Sequence, residues 1–195
     1  LSLCGGDVAW VPAPAPVAPG RPYVLTIHDL SWLERPGDFG RYERAWHAAA
    51  RVERLARRAA AVVCDADAVA VSLSARWGLT AQVIEPGVDL PAPGVVPERR
   101  ERPYVLYVGA REPRKGLDVL ARAWPQAALD ADLVLAGAGP VSVPGAIDLG
   151  PVPDTRLHAL YAGALAVVLP SLLEGFGLTP REAAAHGVPA IVSDL

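Results

Sequence analysis

Short apolar runs recur along the chain, each closed by a polar or glycine-rich turn and followed by apolar positions at helical spacing. Pro22–His28 (PYVLTIH) is continuously apolar between Pro and Asp, as expected of a strand covered on both faces in a parallel sheet. Ala61–Cys64, Ala81–Ile84, Tyr104–Val108, Asp132–Ala136, Ala146–Leu149, Ala164–Leu169 and Pro189–Ser193 read as further strands. Helices are predicted over Arg41–Ala60, Ala66–Trp77, Lys115–Trp124 and Asp154–Ala162, and from Thr179 onwards. A short apolar piece, Asp7–Val11, precedes VPAPAPVAPG, which should be an extended loop. Strands alternating with helices imply parallel sheets with helices on both faces.

One stretch interrupts this rhythm. Pro86–Pro103 (PGVDLPAPGVVPERRERP) is rich in Pro, Gly and charge and separates two βα series. The pattern therefore predicts two α/β domains, 1–88 and 103–195, joined by a linker over 89–102. At 195 residues and 52% hydrophobic content the chain can bury a core and is not of the disordered class. A net charge of −3 gives no reason to expect nucleic acid. No apolar run approaches the roughly 18 residues of a membrane span. Cys4 and Cys64 show no metal or redox spacing and are expected to be reduced thiols in a cytoplasmic protein. The chain contains no Met, and AIVSDL stops as a strand leads into its next loop, so both ends are expected to be cut and the sheets to have unpaired edges.

Chemistry concentrates where strands turn into helices, the ligand edge of open α/β sheets. LPSLLEGFGLTPREAAAHGVP, over Leu169–Pro189, carries Glu174 and Glu182 around Gly175, Phe176 and Gly177. A Gly-rich turn there exposes backbone N–H groups, and the helix start favours negative charge, so carboxylates beside it suit a ligand carrying both phosphate and hydroxyls. Thr179, Pro180 and Glu182 also form a T-P-x-E capping box, which accounts for Glu182 without a ligand. In GAREPRKG, Gly109 closes a strand, and Arg111, Arg114 and Lys115 crowd a helix start that repels cations. They are either solvated charge or a phosphate cradle. GAGP at Gly137–Pro140 lacks the third glycine of a dinucleotide fingerprint. His28 ends a strand and is either a structural or a ligand-facing histidine, whereas His47, His158 and His186 sit within predicted helices. The helix over 41–60 carries six arginines, Arg41, Arg44, Arg51, Arg54, Arg57 and Arg58, either as a solvated face or as a surface for anionic lipid or a lipid-linked substrate.

Taken together, EGFGLTPREAAAHGVPAIVSD resembles the E-x7-E signature of retaining glycosyltransferase family 4, whose fold is the two-domain GT-B architecture. TIHDLSW, VIEPGVDL, VLYVGAREPRKGLDVL, LVLAGAG and LGPVPDTRLHALYAGALAVVLPS resemble the same family in the same order, from Pro22 to Asp194. The resemblance implies transfer of a sugar from a UDP- or GDP-linked donor to an acceptor hydroxyl, with retained configuration and with neither cofactor nor catalytic metal. It implies that Glu174 contacts donor-sugar hydroxyls and that Glu182 binds the ribose. Backbone at Gly175, Phe176, Gly177 and Leu178 would hold sugar and phosphate. Gly109 and Lys115 match the diphosphate turn, and His28 matches a histidine that reaches the donor sugar. The loop 150–153 would lie near the base. The acceptor would be a glycan, lipid-linked or polysaccharide hydroxyl, with mannosyl transfer among the family's reactions. The protein would be cytoplasmic, with the basic helix 41–60 touching the inner face of a membrane.

The chain departs from the family at two turns. Ala110 stands where many members carry Arg, so Arg111 or, preferably, Arg114 is expected to substitute. Asp65, Ala66 and Asp67 replace a Val-Ser-Glu turn. Two further readings accompany the transferase: a sugar-nucleotide epimerase of the same architecture, and a nucleotide-binding fragment without catalysis. The 195-residue piece is expected to be inactive alone.

Overall fold

The strand Tyr104–Val108 shows how the apolar runs are used. Its first four residues are buried, and the strand's two-residue period sends Tyr104 and Leu106 into one core and Val105 and Tyr107 into another. A strand apolar on both faces is the signature of a sheet covered by helices on both sides. The computed structural model describes residues 6–16, 19–91 and 93–195; Cys4 lies outside them. Packing divides the chain into two units: Leu1–Pro86 with Glu174–Phe176, and Gly87–Leu173 with Gly177–Leu195.

The first unit holds strands β1 (Ala9–Val11), β2 (Tyr23–Ile27), β3 (Ala61–Cys64) and β4 (Gln82–Val83), paired in that order and all parallel. Between them run helices α1 (Ser31–Glu34), α2 (Arg41–Ala50), α3 (Val52–Arg58) and α4 (Asp67–Trp77). Leu25, Ile27, Val52, Leu55, Val62 and Leu73 make its core, together with Cys64, a free thiol whose pKa burial pushes up.

The second unit holds β5 (Tyr104–Val108), β6 (Asp132–Ala136), β7 (Ile147–Gly150), β8 (Ala166–Leu169) and β9 (Ala190–Val192), with α5 (Leu117–Ala127), α6 (Asp154–Gly163) and α7 (Leu178–Ala185). All pairs are parallel in the order β7-β6-β5-β8-β9. Chain order therefore runs outward in one direction from β5 and then reverses at β8. The crevice outside the carboxyl ends of β5 and β8 is the topological switch point, where open α/β sheets take their ligands. Helix α5 covers one face through Leu117 and Leu120, and α6 and α7 cover the other through Leu160, Tyr161 and Ala183. The edge strand β9 pairs with β8 and exposes all three residues.

Two expectations need correction. The helix over 41–60 is two helices, broken at Arg51, whose backbone is left-handed (φ 46°, ψ 53°). That conformation costs an L-residue about 1–2 kcal/mol. It lets Ala50 and Val52, which flank Arg51, both be buried, while Trp46 and Ala49 are exposed. The helix expected from Lys115 begins at Leu117; Pro113–Lys115 forms a separate 3-10 turn closed by left-handed Gly116. The end of the Pro- and Gly-rich stretch is held against α6. The Glu98 N–H donates to the Ala159 carbonyl of α6 at 2.8 Å, and its carboxylate accepts from Arg156 at 2.9 and 3.1 Å and from Arg100 at 2.8 Å. The Arg156 hydrogen bonds, with both guanidinium charges, hold Glu98 below the usual carboxylate range.

Candidate functional site

At the switch point, backbone contacts tie the loops together. Gly116 has φ 67°, and a Cβ there would collide with the Pro170 carbonyl that follows β8. The Leu172 N–H donates to the Arg114 carbonyl at 2.8 Å. The turn bearing Arg114 and Lys115 is thus fastened to the loop after β8. It is fastened on its other flank too: the Arg111 N–H donates to the Ala138 carbonyl at 2.7 Å, and a Cβ on Gly137 would strike the Gly109 carbonyl. The glycines of GAGP therefore let two loop backbones touch. The Tyr107 hydroxyl donates to the Ala110 carbonyl at 2.8 Å and braces the residue where the family pattern expects Arg.

The cations of this turn are shared out. Arg111 is mostly buried and donates through Nη1 to the Asp148 carboxylate of β7 and to the Val141 carbonyl, which makes it a brace between loops. Arg114 Nε donates to Glu112 at 2.9 Å, and Lys115 is half-buried at the end of the 3-10 turn.

Helix α7 begins differently from the capping-box expectation. Gly177 is its N-cap in the left-handed region, Leu178 is its first residue, and no side chain caps it. Thr179, now inside the helix, donates from its hydroxyl to the Val108 carbonyl at the end of β5 at 3.4 Å. Glu182 is consequently released from capping. Its carboxylate accepts from the Tyr161 hydroxyl of α6 at 2.6 Å. Burial, then this bond and the carboxylate's charge, push the Tyr161 phenol far above its ordinary pKa. Beside the pair, Asp89, Asp154, Leu157, His158 and His186 complete the wall of a cavity of about 240 Å3. The Glu182 carbonyl only accepts, so His186 Nδ1 donates to it at 2.7 Å; His186 Nε2 then accepts from His158 Nδ1 at 2.9 Å.

In the first unit, His28 lies just past β2 and Asp65 just past β3. Ile27 pairs with Cys64, so the two side chains emerge together. His28 Nδ1 meets Asp65 Oδ2 at 2.6 Å and Nε2 meets the Pro12 carbonyl at 2.8 Å. Both partners accept, so the ring donates from both nitrogens when both bonds are made. Glu174 and Phe176 are half-buried around Gly175.

The second unit thus places Gly109, Arg114, Lys115, Gly177 and Leu178 on loops and a helix start of one sheet edge, with Glu182 a turn further into α7. Sequence reasoning missed Asp65 and Tyr161. Pairing neighbouring strand ends would have found Asp65 beside His28. Tyr161 looks like an ordinary core position of its helix until α6 and α7 are known to share a face. Among the described residues, no group of three or more His, Cys, Asp or Glu could hold a metal ion, and no helix is long and apolar enough to cross a membrane.

Residues 102–195 match the family model described as Glycosyl transferases group 1. The chain is 31% identical over 216 aligned residues to D-inositol 3-phosphate glycosyltransferase 1 of Catenulispora acidiphila, with 89% of this chain and 50% of that protein covered. It is 35% identical over 109 residues to O-antigen chain mannosyltransferase B of Escherichia coli, covering 47% of this chain and 29% of the relative. Among solved structures it resembles the sucrose-phosphate synthase of Thermosynechococcus elongatus, with TM-score 0.71, 22% identity, and 90% of this chain and 51% of that one covered. It also resembles HepE of Anabaena in complex with UDP and glucose, with TM-score 0.68, 22% identity, and 88% and 53% covered. The chain spans half or less of the length of the two curated relatives described.

Proposed function

We propose, from the premise that the chain belongs to the GT-B glycosyltransferases, that its second unit binds the nucleotide part of a UDP- or GDP-linked sugar. The parent protein then transfers that sugar to an acceptor hydroxyl with retention of configuration. The observation that carries this reading is the fastening of the Lys115 turn to the loop after β8 at the switch point. A diphosphate leaving group gathers negative charge as its glycosidic bond breaks. Fixed cations and helix-start N–H groups stabilise that charge without reorganising. Arg114 and Lys115 supply the cations, and Gly177 and Leu178 open the helix start. Glu182, held by Tyr161, accepts from ribose hydroxyls, while Glu174, with Gly175 and Phe176, and His28 act at the donor sugar. The acceptor proton leaves with the departing phosphate, so no cofactor, metal or protein nucleophile is required. A glycan, glycolipid or polysaccharide acceptor is supported by the names of the relatives. Contact of the basic helix region 41–60 with an anionic membrane face is supported by Tyr42 and Trp46, exposed beside Arg41 and Arg44.

Because the chain spans only part of its relatives, the first experiment asks for binding. Calorimetry with UDP, GDP and ADP on the 195-residue chain should find one saturable ligand, weakened at least tenfold by Lys115→Ala and by Glu182→Gln. No binding to any of the three would overturn the donor site. Normal donor turnover by the whole protein carrying both substitutions would overturn the transferase assignment.

A further inference from the structure

Helix α3 carries Arg54 and Arg58 one turn apart, a spacing that brings side chains together on a helix, and Arg51 precedes it. The three line a cavity of about 160 Å3 in the first unit, whose remaining wall includes Pro16, Ala50 and Leu55. Among the described residues that line it, none is acidic. Two other arginines of this unit are paired, Arg35 with Asp38 at 2.6 Å and Arg57 with Glu53 at 2.8 Å. Arg51, Arg54 and Arg58 have no ion pair among the described residues.

The helix itself gives no reason for this convergence. Its dipole favours Arg58 in the last turn but disfavours Arg51 and Arg54 at the start. The left-handed backbone at Arg51, which lets Ala50 and Val52 be buried, also places that side chain on the cavity wall. Three like charges around one cavity are suited to a compact polyanion, because guanidinium forks match phosphate oxygens. The cavity, about 160 Å3, has room for a phosphate group.

We propose that Arg51, Arg54 and Arg58 form a phosphomonoester-binding site, separate from the donor-binding residues and independent of the donor reading. A phosphomonoester is close to dianionic at neutral pH, which matches the excess of cations. The group could belong to a small soluble solute or to a lipid headgroup, and the test separates the two.

Binding of glycerol 3-phosphate to the whole chain is followed by calorimetry, and binding to phosphatidylcholine vesicles with and without phosphatidic acid by sedimentation. Saturable glycerol 3-phosphate binding is expected in the wild type and in Lys115→Ala. It should weaken at least tenfold in Arg54→Gln/Arg58→Gln and stay within twofold in Arg57→Gln. Arg51→Gln serves as the second variant if circular dichroism shows the double variant unfolded. Vesicle binding at least tenfold tighter than the soluble phosphate, with the same dependence on Arg54 and Arg58, assigns the site to a lipid headgroup; otherwise a soluble phosphate is the ligand. Absence of saturable binding to both probes, or binding undiminished by the arginine variants, overturns the proposal. Binding abolished by Lys115→Ala alone would place the phosphate in the donor site and also overturn it.

Discussion

Gly116 carries two constraints at once, a left-handed backbone and a carbonyl where a Cβ would stand. Relaxing either moves the Lys115 turn away from the loop after β8. Gly116→Ala should therefore cost more than about 2 kcal/mol, beyond the roughly 1 kcal/mol of an ordinary Gly-to-Ala mismatch at positive φ. Urea unfolding of the variant measures this, and a midpoint unchanged from wild type would refute the contact. Single residues were unevenly legible in the sequence. Lys115 and Glu182 stood out by type and spacing. The T-P-x-E pattern was misleading, because Gly177 starts α7 two residues early and leaves Thr179 to bond β5 instead. Long-range partners such as Tyr161 for Glu182 or Asp65 for His28 leave no local trace, because they depend on which elements become neighbours.

Strands were the clearest elements, since a run buried on both faces has a pattern little else imitates. Helix ends were less clear. Alanine has high helix propensity in any register, so the alanine-rich 41–60 segment reads as continuous. The break at Arg51 comes from burying both neighbours, a tertiary demand. Helix α5 ends on another non-glycine in the left-handed region, Ala128 (φ 47°, ψ 36°), which is exposed. Glycine is the usual residue at such a terminus. Ala128→Gly is expected to stabilise the chain by about 0.5–1 kcal/mol, read as a higher urea midpoint at unchanged slope. A lower midpoint would show that Ala128 packs in a way its exposure does not suggest.

At the scale of the whole chain, the alternation of strands and helices announced parallel sheets. Strand order was not legible, because the reversal at β8 is a choice of side that local sequence does not encode. The closing part of the Pro- and Gly-rich stretch depends on charge in a way that pH can reveal. Glu98 is depressed in the folded state, so its contribution is fully present above the unfolded carboxylate pKa and is lost as pH falls through the folded one. Glu98→Gln should cost about 1–2 kcal/mol at pH 7, and the gap to wild type should narrow on acidification towards pH 3. A gap independent of pH would assign the loss to packing.

The frame of the switch-point edge is built from main chain: a carbonyl against Gly116, an amide from Leu172 to Arg114, and two glycine-paved loops. None of these fastenings depends on what the neighbouring side chains are. Descendants of this sequence can therefore exchange exposed residues nearby, such as Leu172 and Leu178, while inheriting the same scaffold. What holds this edge in place is written in the backbone, and the branches around it are left free to change.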